Sequence, residues 1–487
     1  LSILYSTLSI LRHNHFQSGG FDLGIYDQSV WQYSRFMWPY NTIKDRFILG
    51  DHLTLTLPLL SPLYWIWNDV RMLLIFQSAW ISFSTIAIYK IVKLRFEKNI
   101  NNLLNTNKNV KRVGIIAFCL AAIYSLFYGI QYLVYFDFHP VVIGVGLLAW
   151  IAYFLESKNT KLLTISIILL LLTQENMGLA LFGLGSIYVF QPAYQKMAFI
   201  FMALGIASSF LASRFITFFS PVGFEYRPEV VMNPQILMTR FFDSPEKKQV
   251  WWWSFASFSF LPLLSPGAVF AVTSDLFQYF TTGDHFVQMW TPYKHHRAIL
   301  GVFLTLGTID VLRVCNQILK RNQIVYIVIG LLFVTLGLQF YWHLPLNKLT
   351  KSEYWKNDAW MRNNSKLFSL VPPDGAVAAQ QNFVPHLSHR QKIFLVWPRE
   401  HDFDERPCGQ TSCWWLDFDK SAEYLVVDTR PDQWLTQILE SNEHWNNAIQ
   451  NMERAGIITL ITSVGDARMY KVLPKKIFDI SLEGLVY

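Results

Sequence analysis

What constrains this chain most is a series of apolar runs that stops near residue 345. They cover roughly residues 1–13, 70–92, 113–134, 140–155, 162–173, 177–192, 197–219, 252–264, 267–281, 298–315 and 323–343. A helix needs about 20 apolar residues to cross a bilayer. Inside lipid its backbone must satisfy its own hydrogen bonds. The expectation is a polytopic α-helical membrane domain of about eleven transmembrane helices, some of them short. The first run is too short to cross alone, so a first span cut at its start is expected. Pro262 and Pro266 stand between two short runs and predict a tight cytoplasmic turn over 261–267, with a re-entrant hairpin as the alternative.

Only 15% of the 487 residues are charged, against about 25% in an ordinary soluble protein. The deficit ends at about residue 346. Two domains are therefore expected: 1–345 in the membrane, and 346–487 as a soluble α/β domain. Within the second, strands are predicted at 376–379, 392–397 and 424–428, the last apolar enough for a buried parallel strand. A helix over 432–455 and a closing hairpin of 457–461 with 467–472 complete it. Gly375, Gly409 and Gly456 are isolated, so no glycine-rich phosphate loop is present.

The net charge is +7. Lys90, Lys93, Arg95, Lys98, Lys108, Lys111 and Arg112 crowd one inter-span loop, which marks it as cytoplasmic. By alternation the opposite side receives residues 14–69, the Asp137 and Glu175 loops, 220–250, 282–297 and the C-terminal domain. Orientation in a plasma membrane accounts for the basic balance. Aromatic and basic residues do not interleave as on a nucleic-acid platform, so nucleic acid is not an expected partner. Segment 14–69 is too apolar for a solvated loop. Its stretches 27–36 and 53–67 read as interfacial helices, with Trp31, Trp38, Trp65 and Trp67 at headgroup depth. Cys408 and Cys413 could form a local disulfide in an oxidising compartment or remain two thiols; spacing leaves both open.

Acids and histidines gather at the ends of the runs, and the threading brings them to one face. They are Asp22 and Asp27, Asp51-His52, Asp137 and His139, Glu175, and Asp284-His285. Ionisable groups near membrane depth are costly and usually mark a site. Asp51, His52, Asp137 and His139 are candidate ligands for a divalent metal ion. The plainer alternative is an Asp–His hydrogen bond that fixes a loop. Glu175 either supports the same pocket or is solvated at the interface. The run Lys294-His295-His296-Arg297 suits a lipid phosphate or pyrophosphate, or else contacts headgroups. Arg227, Arg240, Lys247 and Lys248 repeat that idea more weakly. His386-Leu387-Ser388-His389-Arg390 could bind an acceptor or dock the C-terminal domain; Leu387 reads as packing and favours docking for His386, His389 and Arg390.

The blocks Phe-Asp-Leu-Gly-Ile-Tyr-Asp-Gln at 21–28, Gly-Asp-His at 50–52 with Pro58 and Ser61-Pro62-Leu63-Tyr64, Phe-Asp-Phe-His-Pro at 136–140 and Val-Pro-His-Leu-Ser-His-Arg at 384–390 resemble a family of prokaryotic membrane proteins of unassigned function. The resemblance runs over nearly the whole chain. That family in turn resembles the GT-C superfamily of membrane glycosyltransferases. The resemblance implies a polyprenyl-phosphate sugar donor, a glycan, lipid or protein acceptor outside the cytoplasm, and an essential acid in the first external loop. Asp22 matches that acid best and Asp27 second; either could instead open a helix as its N-cap. Asp51, His52, Asp137, His139, Glu175, His295, His296 and Arg297 would then bind substrate. At 174–176 a basic residue, Glu and Asp are implied, and Gln174-Glu175-Asn176 departs from them. No cofactor is implied beyond the candidate metal ion. The competing readings are a transporter and a GT-C-like scaffold that only binds glycan or lipid. Acids at span ends, and no likeness between 1–170 and 171–343, favour the transferase over the transporter.

Overall fold

The computed structural model describes residues 1–97, 107–226, 233–402, 408, 412–433 and 440–473. The chain divides into two compact units. One comprises Leu1–Ser9, Leu49–Leu57 and Leu74–Tyr354; the other comprises Ile10–Ile48, Pro58–Leu73 and Trp355–Tyr487.

The first unit is helical. Among the described residues five helices are long and apolar enough to cross a membrane: Arg71–Glu97, Asn109–Leu126, Gln195–Phe219, His295–Ile318 and Asn322–Tyr341. Hydropathy predicts eleven crossings, and the difference lies in length. Val141–Glu156, Thr160–Leu171 and Met177–Val189 hold 16, 12 and 13 residues, short of the roughly 20 a full crossing takes. The run at 252–264 does not continue as one helix. Pro245–Ala256 ends before Ser259 and Phe260, whose φ angles of 48° and 61° are left-handed. A 3-10 turn, Leu261–Leu264, leads into Pro266–Phe280, with Pro266 in the first turn where its missing N–H costs nothing.

Small residues let these helices approach closely. A Cβ added to Gly178 would stand 2.4 Å from the Gly205 carbonyl oxygen, so that crossing requires glycine. Four helices are tied by one ion network. Arg95 Nη2 meets Glu156 at 2.6 Å and Arg95 Nη1 meets Asp310 at 2.6 Å, and the Tyr188 hydroxyl donates to Glu156 at 2.7 Å. Arg95, read above as a loop cation, is thus buried inside the unit. Lys98 and the side chain of Lys108 lie outside the described residues.

In the second unit the strands are β1 (Tyr40–Asn41), β2 (Arg46–Phe47), β3 (Val377–Ala379), β4 (Ile393–Leu395), β5 (Trp397–Asp402), β6 (Ser412–Asp417), β7 (Tyr424–Asp428), β8 (Ile458–Val464) and β9 (Ala467–Val472). The main sheet runs β4-β3-β7-β9-β8. β3 pairs in parallel with β4 and β7, and β9 pairs antiparallel with β7 and β8. The apolar run at 424–428 becomes a buried strand with a parallel partner, as its composition implies. Helix Asn442–Arg454 buries Trp445, Ala448, Ile449 and Met452, one face at i, i+3, i+4 and i+7. The helix predicted from the pattern begins at 432, and residues 434–439 lie outside those described. The antiparallel ribbon of β5 and β6 has no counterpart among the predicted strands. Cys408 and Cys413 are joined as a disulfide. The expected helix at 53–67 is shorter: Pro58 and Pro62 confine it to the 3-10 turn Leu57–Leu60 and helix Ser61–Ile66.

Candidate active site

Helix Ile25–Ser34 carries Asp27 in its first turn. Its N-cap position is Gly24, and no side chain caps it. Asp22 sits inside the preceding π turn, Gly20–Gly24, whose N-cap position is Gly19. The N-cap alternative for either acid therefore falls. Asp22 is half-buried, whereas Asp27 is fully buried, 0% exposed.

Segment 384–390 lies against this helix because Gly24 has no side chain: a Cβ there would meet Val384 Cγ1 at 2.9 Å. Gln28 Nε2 fixes the approach by donating to the carbonyls of Arg390 (3.3 Å) and Gln391 (3.1 Å). The Arg390 guanidinium donates to the Leu387, Pro372 and Gly375 carbonyls at 2.6, 3.1 and 3.1 Å, which holds the loop in shape. Burial brings its pKa down to about 10.

Three donors then close on Asp27. The Tyr64 hydroxyl donates to Oδ1. Ser388 Oγ lies 2.5 Å from Oδ2. His389 Nε2 lies 3.2 Å from Oδ1 and 3.1 Å from Oδ2. A buried carboxylate with such partners is compensated, where an isolated one would not be tolerated. His389 remains partly open, its side chain 19% exposed. With His386 and Ser388 it lines a cavity of about 670 Å³ that also receives His13, Asp69 and Lys356. At its wall Arg71 grips Asp69 with two bonds of 2.7 and 2.6 Å. His386 is stacked on His13 at 3.9 Å and lies 4.4 Å from the Phe16 ring. Burial first, then the nearby His13, hold its pKa well below the usual imidazole value.

A second cluster belongs to the helical unit. His52 Nδ1 bonds Glu175 Oε1 at 2.8 Å, and its ring stacks on Tyr226 at 4.4 Å. The Tyr226 hydroxyl donates to Asp51 at 3.3 Å. His139 stacks on His295 at 4.0 Å, and His295 meets His296 at the same distance. Asp137 is buried on the loop before His139. The metal reading of Asp51, His52, Asp137 and His139 is not borne by this geometry. Among the described residues no three His, Cys, Asp or Glu side chains are placed to hold an ion. The reason is local: His52 is committed to Glu175, and Asp51 accepts from Tyr226. Arg297 is fully buried. Arg240 donates to the Thr281 carbonyl, and Lys247 is buried against Asp243 and two carbonyls. Lys248 is exposed. Arg227 and the side chains of Asp284 and His285 lie outside the described residues.

A family described as Predicted membrane protein (DUF2079) matches residues 12–456. The chain belongs to this family. No curated protein and no solved structure matches it. The DUF2079 match spans the residues of both clusters, and it agrees with the apolar helices in making the chain a multi-pass membrane protein set in a lipid bilayer. Sequence pattern alone does not mark Tyr64, Ser388 and Tyr226 as site residues. Tyr64 and Ser388 stand inside the blocks Ser61-Pro62-Leu63-Tyr64 and 384–390, and that is the one signal they carry. Tyr226 follows an unremarkable loop and offers none.

Proposed function

We propose that this DUF2079 chain is a plasma-membrane glycosyltransferase. It would move a sugar from a polyprenyl-phosphate donor to an acceptor hydroxyl outside the cytoplasm, the side on which the second unit would lie. The observation that carries the proposal is the Asp27–His389 pair at the wall of the 670 Å³ cavity. In its ionised form Asp27 only accepts hydrogen bonds, so His389 keeps its proton on Nε2 and its lone pair on Nδ1. That is the arrangement of a general base held in one tautomer. The acceptor oxygen attacks the anomeric carbon as its proton passes to His389 Nδ1. The bond from that carbon to the phosphate oxygen breaks, and the polyprenyl phosphate leaves with the electron pair. Asp27 stabilises the imidazolium formed, and Tyr64 and Ser388 keep its carboxylate in place. This moves the proton-accepting role from Asp22 to His389 and makes Asp27 the residue that orients it. Glycan binding without transfer would use the same cavity but would not need the proton acceptor.

The test uses a strain deleted for the gene and complemented with wild type, Asp22→Asn, Asp27→Asn or His389→Gln. Lipid-linked and surface glycans are compared by mass spectrometry, with each protein quantified in membranes. The deletion should lose one sugar modification that wild type restores and that Asp27→Asn and His389→Gln fail to restore at normal protein levels. Full restoration by His389→Gln would remove the base from the mechanism. A deletion that alters no glycan would remove the transferase reading.

A further inference from the structure

The histidine run belongs to the helical unit, and its chemistry differs from that of the Asp27–His389 pair. His295–Arg297 form a 3-10 turn that passes directly into helix Ala298–Ile318. Together they make one apolar helix of 24 residues, so these three residues are its first turn. No side chain caps that start. A helix of this length presents unpaired N–H groups and the positive end of its dipole at such a point, which favours an anion.

An independent observation comes from the side chains. Arg297 is 0% exposed and always charged. Its Nε and Nη2 donate to the carbonyls of Thr291 and Met289, and its guanidinium lies 5.0 Å from the Tyr279 ring centroid. Nη1 has no hydrogen-bond partner among the described residues. Among the described residues no carboxylate forms an ion pair with it; Asp275, whose charge it feels, accepts from Gln278 at 3.3 Å through Oδ1, and its Oδ2 has no hydrogen-bond partner among them. Both ring nitrogens of His295, and Nδ1 of His296, are likewise without partners among the described residues. These rings are 3% and 7% exposed. Buried charges are normally paired and buried polar groups hydrogen-bonded, so four unmatched nitrogens on three successive residues call for a ligand. The ligand must be negative, because of the guanidinium and the helix start. It must also offer several acceptor oxygens. A metal ion fits neither requirement.

We propose that His295, His296 and Arg297 form a phosphate-type oxyanion site at the start of this helix. The site takes a phosphate or diphosphate group, carried either on a lipid or free in solution. It stands on its own observations and survives if the transferase reading fails.

The experiment uses the full chain in nanodiscs of phosphatidylcholine, a lipid with no net charge. Thermal unfolding is followed with inorganic phosphate, pyrophosphate, farnesyl phosphate or, as control, chloride at matched ionic strength. Wild type should be stabilised by at least one phosphate species, with saturation, and not by chloride. Arg297→Gln should abolish the shift, and His295→Asn/His296→Asn should raise the half-saturating concentration at least tenfold. Where Arg297→Gln does not fold, the double histidine variant decides alone. Protection by farnesyl phosphate that inorganic phosphate cannot displace assigns the site to a lipid headgroup. Protection by phosphate or pyrophosphate alone assigns it to a soluble anion. The proposal is overturned if no phosphate species stabilises wild type, or if the shift survives unchanged in the variants that fold.

Discussion

Replacing Asp27 by Asn keeps its shape and removes its charge, and this isolates what holds the carboxylate. In the native unit Asp27 is 0% exposed and accepts from Tyr64, Ser388 and His389. Hydrogen bonds to a charged group contribute about 1.5–3 kcal/mol each, and neutral ones about 1 kcal/mol. A carboxamide still accepts at one end, but its NH₂ faces a donor at the other. Asp27→Asn should therefore cost about 3–5 kcal/mol. Tyr64→Phe alone should cost about 1.5–3 kcal/mol, since it removes one charge-assisted bond and leaves the carboxylate short of a donor. In the Asn background the same change should cost only about 1 kcal/mol, so the double variant should show a coupling of about 0.5–2 kcal/mol. Unfolding of the four proteins by SDS titration in mixed micelles measures each corner of the cycle. Independent sites add to within about 0.5 kcal/mol. A coupling below that would mean that Tyr64 does not hold Asp27, and the mechanism above would lose its positioning residue.

Three further outcomes are expected. His386 is neutral when folded, its pKa held well below that of a free imidazole, so below about pH 6.5 the unfolded chain binds the extra proton and stability falls with pH, by at most about 1.4 kcal/mol per unit; His386→Phe should flatten the slope of a melting profile between pH 7 and pH 5, and an unchanged slope would assign it elsewhere. Glu156→Leu leaves Arg95 buried with Asp310 alone and should cost about 3–5 kcal/mol in the same SDS titration, with a larger effect than Lys93→Leu at the exposed Lys93–Glu97 pair. The Cys408–Cys413 bridge should shield both thiols from a membrane-impermeant maleimide on intact cells until they are reduced, and Cys408→Ala/Cys413→Ala should cost about 2 kcal/mol, the chain-entropy value for so short a loop; labelling without reduction would contradict the bridge.

The elements that the sequence makes legible are those whose pattern has a local cause. The run Tyr424–Asp428 reads as a buried strand, and it is one. The hairpin of β8 and β9 follows from two short alternating runs around Gly465. Crossing count is less legible, because hydropathy reports apolar composition and not helix length. The helix at Met177–Val189 is as apolar as a span yet holds only 13 residues. Arg95 illustrates a second limit. Counted from sequence it is a loop cation, but Glu156 and Asp310, 61 and 215 residues away, make it an interior one. No local pattern carries that pairing.

The same division runs through the candidate site. Asp27, His389 and Tyr64 each lie in a distinctive block of sequence, and yet no spacing within a block says that they meet. Their encounter depends on Gly24, which lets Val384 approach to a distance that a Cβ would forbid, and on Gln28, which bonds the carbonyls of Arg390 and Gln391 across more than 360 residues of chain. Loop position in the sequence ranks Asp22 above Asp27. Burial argues the other way. A half-buried acid in a turn can be solvated and needs no further explanation. A fully buried carboxylate that consumes a tyrosine, a serine and a histidine does need one, since an apolar residue of similar size would fill that space at lower cost. Both the structural and the proposed catalytic accounts of this residue therefore rest on the same three donors, and the double-variant cycle and the His389→Gln complementation separate them.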